Sequence, residues 1–243
     1  VPVGTGKRVE KIISDINPSI NLSIASVPEF LREGYAVSDF MNPDRIIIGT
    51  NSELARNILR KLHEPLVNFN EKKYIITGIE TAELIKYTAN AFLAVKISYI
   101  NEIANLCEKL GANVEEVADG VGADRRINRW GLSAGPGFGG SCFPKDTLAL
   151  INTAVQHKSP VRIVEAAVAV NDTRKASLFS RIRDELDGEL RDKTIAVLGV
   201  TFKSNTDDLR DSPSMELIPN LLEYGAKVRV YDPKGMCEAS KMF

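Results

Sequence analysis

The chain of 243 residues carries 31 Lys or Arg against 32 Asp or Glu, a formal net charge of -1, with 44% hydrophobic and 26% charged residues. That balance suits one large or two small globular domains with a buried core, and it excludes a disordered chain and a nucleic-acid binder that relies on bulk basicity. Three cysteines, Cys107, Cys142 and Cys237, are too few and too odd in number for a disulfide scaffold and point to a reducing compartment.

The sequence opens with VPVGTGKRVEK, which has neither an initiating Met nor an apolar core region, so it reads as the interior of a protein rather than a signal peptide. Gly4-Thr-Gly-Lys7 superficially matches a phosphate loop, but Arg8 stands where Ser or Thr should follow, and the segment is read as a helix start. Leu22–Val27, Arg45–Gly49 and Tyr74–Thr77 read as strands. Between the last two, Ser52–His63 reads as a helix with Ser52 as N-cap and Leu54, Ile58, Leu59 and Leu62 on one face. This alternation predicts an α/β layer. Glu29 and Glu33, in Pro28–Gly34, follow the first strand. Four residues apart, they would point the same way on one helical turn at the carboxyl edge of a sheet, where ligands bind, or form a solvated acidic first turn.

Thr81–Leu110 passes without Gly or Pro, and Gly111 supplies the stop, which predicts a rod of roughly 45 Å. Its apolar residues cover more than one stripe, so the helix is expected to be buried, centrally or against a second copy. No stretch approaches 18 uncharged apolar residues; Tyr87–Val95 is bounded by Lys86 and Lys96, and no membrane span is expected. A polar turn region, Asp119–Ser133, precedes a glycine-rich loop, Gly135–Gly140. Helical patterns at Pro144–Gln156 and Val161–Leu186 lead to a second α/β unit. It consists of a strand at Thr194–Leu198, a helix at Ser214–Tyr224 despite Pro219, and a strand at Ala226–Tyr231 closed by Asp232, as in a dinucleotide-type unit. With only His63 and His157 and no clustered Cys, no metal site is expected.

The strongest chemical signal is GPGFGGSCFPKD. Its glycines permit close backbone approach, and Pro144 suits the first position of a helix, placing Cys142 just ahead of the positive helix end with Lys145 nearby. Both would favour thiolate, and Asp146 would hold a water or cation one turn on; the alternative is a buried inert Cys. Glu83, Lys86 and Asn90 share one face of the long helix, either as a functional group or with Glu83–Lys86 as an ordinary ion pair. After the second unit's first strand, Lys203 and Arg210 suit phosphate.

These segments, with ELIKYTANAFLAVKISYINE, PEFLREG, DRRI and VLGVTFKSNTDDLRDSPS followed by VYDP, resemble the UDP-glucose/GDP-mannose dehydrogenases in the same order. The glycine loop is most similar to the bacterial UDP-glucose form. The resemblance implies an α/β fold of two Rossmann-like domains joined by a helical central domain. Residues 1–77 would be the C-terminal part of an NAD-binding domain, 78–190 a central domain for dimerisation and catalysis, and 191–243 the start of a UDP-binding domain. A longer parent chain, cut at both ends, is expected.

The implied activity is NAD-dependent two-step oxidation of UDP-glucose to UDP-glucuronate through a thiohemiacetal and thioester. GDP-mannose or UDP-N-acetylmannosamine are rival substrates, and a non-catalytic nucleotide-sugar-binding or dimerisation fragment is the alternative of another class. By the same resemblance, Cys142 is the nucleophile, Lys86 stabilises the oxyanion, and Asn90 and Asp146 position water. Glu33 and Glu29 serve acid/base steps. Substrate contacts fall to Glu29, Phe30, Leu31, Lys86, Asn90, Arg126 (across a subunit boundary), Trp130, Ser133, Phe138, Gly139, Phe202 and Lys203. Cofactor contacts fall to Glu33, Cys142, Lys145 and Arg210. A cytoplasmic homodimer joined through the long helix is expected, with no nucleic-acid or membrane partner.

Overall fold

Three consecutive isoleucines, Ile46–Ile48, form the centre of the first sheet and are all buried. β-Branched side chains on successive residues suit a strand covered on both faces. The computed structural model describes residues 1–242 and divides into two units, Val1–Ala89 and Asn90–Phe243.

In the first unit, α1 (Thr5–Ile16) leads to β1 (Ala25–Ser26), α2 (Ala36–Met41), β2 (Ile46–Thr50), α3 (Glu53–His63) and β3 (Tyr74–Thr77). β3 runs parallel to β2, Ile46 opposite Tyr74, whereas β1 pairs antiparallel with β2, Ala25 opposite Thr50. β1 keeps only two of the six residues expected as a strand; just before it, the Thr50 hydroxyl donates to the Ile24 carbonyl (2.8 Å) in place of a ladder bond. Its antiparallel sense also sends Pro28–Gly34 to the amino ends of β2 and β3, not the carboxyl edge. Glu29 and Glu33 do not share a helical turn: the chain is irregular to Arg32 and turns at Glu33–Tyr35 with Gly34 at φ +84°.

Ser52 caps α3 as expected, accepting from the Ala55 N–H (3.2 Å). Leu59 and Tyr74 pack on the cluster of Ile46, Ile48 and Val67, while Leu54, Ile58 and Leu62 are exposed. The long helix, α4 (Ile79–Leu110), begins two residues before the expected start. Its packing against β2 requires Gly49, where a Cβ would collide with Ala82. The helix is not buried all round. Its buried face mixes small or polar residues, Ala82, Ala91, Ala94, Ser98, Asn101 and Ala104, with Ile79, Tyr87 and Ile100, and Phe92, Tyr99 and Leu106 are exposed at a spacing of seven. The small residues allow close approach, while Phe92, Tyr99 and Leu106 are left on the exposed face.

The second unit continues α4 and adds α5 (Val114–Gly122), α6 (Phe143–Gln156), α7 (Arg162–Glu185), β4 (Thr194–Leu198), α8 (Pro213–Glu223), β5 (Lys227–Tyr231) and α9 (Met236–Met242). α5 reaches into the segment expected to be turns; Asn113 starts it by accepting from the Glu115 N–H (3.0 Å). β4 and β5 are parallel, Thr194 opposite Lys227, over a core that includes Leu190, Val197, Val200, Ile218 and Leu221. Among the described residues, no helix is long and apolar enough to cross a membrane.

Asp232, at the end of β5, turns onto the backbone. It accepts from the N–H groups of Val200 (2.8 Å), Thr201 (3.2 Å), Lys234 (2.8 Å) and Gly235 (2.7 Å), tying the exits of β4 and β5 together. Burial opposes its charge, but these amides outweigh it and hold the carboxyl well below the usual carboxylate range. A depressed folded-state pKa stabilises above the unfolded pKa and is lost as pH falls. Asp232→Asn is therefore expected to lower stability by about 2 kcal/mol at neutral pH. In urea unfolding, the gap between parent and variant should narrow below about pH 4. A gap that stays constant down to about pH 2 would contradict this account.

Candidate active site

In the first unit, α4 brings Lys86 to the segment after β1. Its ammonium, on a side chain only 15% exposed, lies 3.2 Å from Glu29 Oε1, and Glu29 Oε2 accepts from the Leu31 N–H (2.7 Å). Lys86 Nζ is 5.4 Å from the centre of the Phe30 ring and the Arg45 guanidinium is 4.0 Å from it, both within cation–π range. Glu29, Phe30, Leu31 and Lys86 thus form one cluster, with Arg45 as a member the sequence reading missed. Glu33 sits half-buried in the following turn. Glu83 does not pair with Lys86. It is buried and accepts from the amides of Gly4 (2.7 Å) and Gly6 (2.8 Å) at the start of α1.

In the second unit, the glycine-rich loop is held at almost every residue. The Gly135 N–H donates to Asn101 Oδ1 (2.8 Å), and the Gly135 carbonyl accepts from Arg174 Nε (3.0 Å). The Asn171 amide grips buried Phe138 at both ends, accepting from its N–H (2.7 Å) and donating to its carbonyl (3.2 Å). The Gly140 N–H donates to the Arg210 carbonyl (2.8 Å), and a Cβ at Gly139 would collide with the Asp211 carbonyl. Phe138 and Gly139 are thus structural elements of the loop as well as expected contacts.

The loop delivers Cys142 to the N-cap of α6, exposed, with Sγ 3.7 Å from Ser141 Oγ. Pro144 occupies the helix's second position rather than the expected first, because the helix already starts at Phe143. One turn on, Asp146 is 2% exposed and accepts from Asn90 Nδ2 (2.6 Å). Lys145, expected to favour the thiolate, places its ammonium on Asp146 Oδ1 in a close ion pair.

The arginine loop after α5 is braced from α4 and α5. Lys96 donates to the carbonyls of Ile127 (3.0 Å) and Asn128 (3.1 Å), and burial pulls its pKa down. Arg129 joins Asp119 (2.6 Å) and Glu115 (2.5 Å), and donates to Ser133 Oγ (3.3 Å). Arg126 is 88% exposed with its guanidinium folded on Asp124 (2.5 Å), and Trp130 is half-exposed. The braces were missed, though Lys96 carries the signal that singled out Lys86: an ammonium at the edge of an apolar helical run. Farther along, Lys203 Nζ lies 5.4 Å from the Phe202 ring centre, and Arg210 pairs with Asp208 (2.8 Å), holding that carboxyl low.

Two turns have the form of an anion seat, and neither fits a pyrophosphate. The amides at Gly4 and Gly6 are occupied by Glu83, and those at Val200 and Thr201 by Asp232. No group of three or more His, Cys, Asp or Glu among the described residues is arranged to hold a metal ion.

Residues 1–67, 80–173 and 196–243 match, in order, the NAD binding domain, the central domain and the UDP binding domain of the UDP-glucose/GDP-mannose dehydrogenase family. The chain belongs to that family. UDP-glucose 6-dehydrogenase of Rhizobium meliloti (strain 1021) is 53% identical over 100% of this chain and 56% of its own length. UDP-glucose 6-dehydrogenase TuaD of Bacillus subtilis (strain 168) is 47% identical over 99% of this chain and 51% of its own. A solved UDP-glucose dehydrogenase from Pyrobaculum islandicum superposes with a TM-score of 0.93 at 40% identity, covering 99% of this chain and 55% of that one. The chain thus spans about half the length of the relatives it matches. The motif resemblance and the fold class drawn from it both hold.

The geometry separates two carboxylate roles that the sequence left together. Glu83→Ala leaves two amides unpaired in a buried place and is expected to cost about 2–3 kcal/mol of stability. Lys86→Ala breaks a pair with a largely exposed carboxylate and should cost no more than about 1 kcal/mol. Chemical denaturation compares them; equal losses would refute the distinction.

Proposed function

We propose that the protein to which these residues belong oxidises UDP-glucose to UDP-glucuronate in two NAD-dependent steps. The observation that carries this reading is exposed Cys142 at the amino end of α6, one turn before the buried Asp146–Asn90 pair. Relatives matched at 47–53% identity bear the UDP-glucose 6-dehydrogenase name, while a UDP-D-ManNAc dehydrogenase structure from Pyrococcus horikoshii is 28% identical, which favours glucose as the sugar.

NAD, when bound, supplies the hydride acceptor for both oxidations. Removing a proton and a hydride from the C6 alcohol gives the aldehyde, with Glu33 or Glu29 in the acid/base role. The Cys142 thiolate adds to the aldehyde carbon, and the resulting oxyanion is balanced by the Lys86 ammonium. Loss of a second hydride from this thiohemiacetal leaves a thioester. Asp146, held by Asn90, orients a water that attacks the thioester carbon and releases the thiolate and the acid, with Glu29 assisting as base. Cys142 thereby converts an aldehyde, a poor hydride donor when hydrated, into one that stays on the protein.

The substrate contacts in this reading are Glu29, Phe30, Leu31, Arg126, Trp130, Ser133, Phe138, Gly139, Phe202 and Lys203, with Glu33, Lys145 and Arg210 towards the cofactor. Phe92, Tyr99 and Leu106, exposed along α4, support a homodimer through that helix. Three free cysteines, one of them the nucleophile, favour the cytoplasm.

The full-length protein is expected to yield two NADH per UDP-glucose consumed, measured by absorbance at substrate exhaustion. Cys142→Ser is expected to cut steady-state turnover at least about 1000-fold while UDP-glucose still binds. One NADH per sugar, or parent-like turnover in the variant, would overturn the mechanism.

A further inference from the structure

Lys175 on α7 has no part in the reaction above, yet its side chain is only 6% exposed. A buried ammonium needs partners, and both of those it has belong to one residue: Nζ donates to the Asp211 carbonyl (2.9 Å) and lies 3.1 Å from Asp211 Oδ2. Asp211 holds a left-handed backbone at φ +53°, which places its carbonyl against the backbone of Gly139.

The stem of Lys175 also supports the glycine-rich loop. At Gly137, with φ +119°, a Cβ would stand 3.0 Å from Lys175 Cγ and 3.0 Å from Asn171 Oδ1. On the other side of the loop, Gly140 is bonded to the Arg210 carbonyl and lies against the Phe202 ring. One buried side chain therefore touches both the loop that ends in Cys142 and the segment that carries Phe202, Lys203 and Arg210. These contacts leave no slack: a Cβ at either Gly139 or Gly140 would clash with that segment.

We propose that Lys175 is a positioning residue that locks the Gly135–Gly140 loop to the Phe202–Asp211 segment, so that uridine diphosphate held by the segment sets the reactivity of Cys142. The inference rests on the reading of Cys142 as nucleophile and of residues 196–243 as nucleotide-binding. The coupling is mechanical: a shift of the Arg210 or Asp211 carbonyl must be followed by Gly139 and Gly140, and Cys142 is two residues further on. A segment that moved freely would leave the thiol indifferent to the nucleotide.

The test uses the full-length protein and UDP alone, which carries no sugar to cover the sulfur. Iodoacetamide labelling of Cys142, followed by mass spectrometry of its peptide, gives an alkylation rate with and without UDP, and calorimetry confirms that UDP binds. The parent is expected to change rate about fivefold on saturation with UDP. Lys175→Met should bring that change to within about 1.5-fold of unity, while Lys175→Arg, which keeps the cation, retains most of it. A Lys175→Met protein that binds UDP and keeps the parent's change, or a parent with no change, would overturn the proposal. If Lys175→Met does not fold, Asp211→Asn is read in its place, since Asn tolerates the left-handed backbone and removes the ion pair. It should at least halve the UDP effect, and an undiminished effect would equally overturn the coupling. Labelling is independent of turnover, so a Cys142→Ser protein that keeps its activity refutes the nucleophile and leaves the coupling to be judged separately.

Discussion

A buried carboxylate must be hydrogen-bonded, and this requirement organises the chain at three places. Glu83, Asp146 and Asp232 are the buried acids among the described residues. Each takes a different donor set: two backbone amides at a helix start, an asparagine with a lysine, and four amides at the exits of two strands. Leaving any of them unpaired would cost more than a typical surface mutation, so the donors are as fixed as the acids. Asp146 is the one whose donors are side chains, and a side-chain amide is easier to exchange for a water than a backbone N–H is. That difference suits it to chemistry, where the other two suit architecture.

The glycine-rich loop follows the same logic with the signs reversed. Its backbone groups are the ones needing partners, and Asn101, Asn171 and Arg174 supply them from helices α4 and α7. A loop with so few side chains of its own has high conformational freedom in the unfolded chain, so its order must come from neighbours. The exposed thiol is thus carried on a flexible sequence made rigid by residues far from it in the chain.

Much of this was legible in the sequence because it is local. The Ser52 cap, the break-free run of α4, the strand pair Thr194–Leu198 and Ala226–Tyr231, and the Cys142–Pro144 helix start each declare themselves within a few residues. What could not be read is set by partners distant in sequence. Glu83 looked like a mate for Lys86 at helical spacing, but Gly4 and Gly6, some 80 residues away, present amides that bind it more firmly. Glu29 and Glu33 looked like one helical turn at a productive edge, yet the antiparallel sense of β1, fixed by pairing with β2, sends them to the other edge. Ser133 and Lys145, expected to face ligands, also bond to Arg129 and Asp146, partners that local sequence does not announce. Nothing near Asn171 or Lys175 in the chain marks their role, and Lys96 shows only its place at the edge of an apolar helical run.

The carboxylate of Glu83 on the amides of Gly4 and Gly6 has a further consequence. A helix start bearing two glycine amides attracts any anion in solution, phosphate above all. Here the competing anion is tethered to the same chain, and its effective concentration is set by geometry rather than by the medium. The protein carries its own resident anion at that position, so the helix start is already filled without recourse to solution.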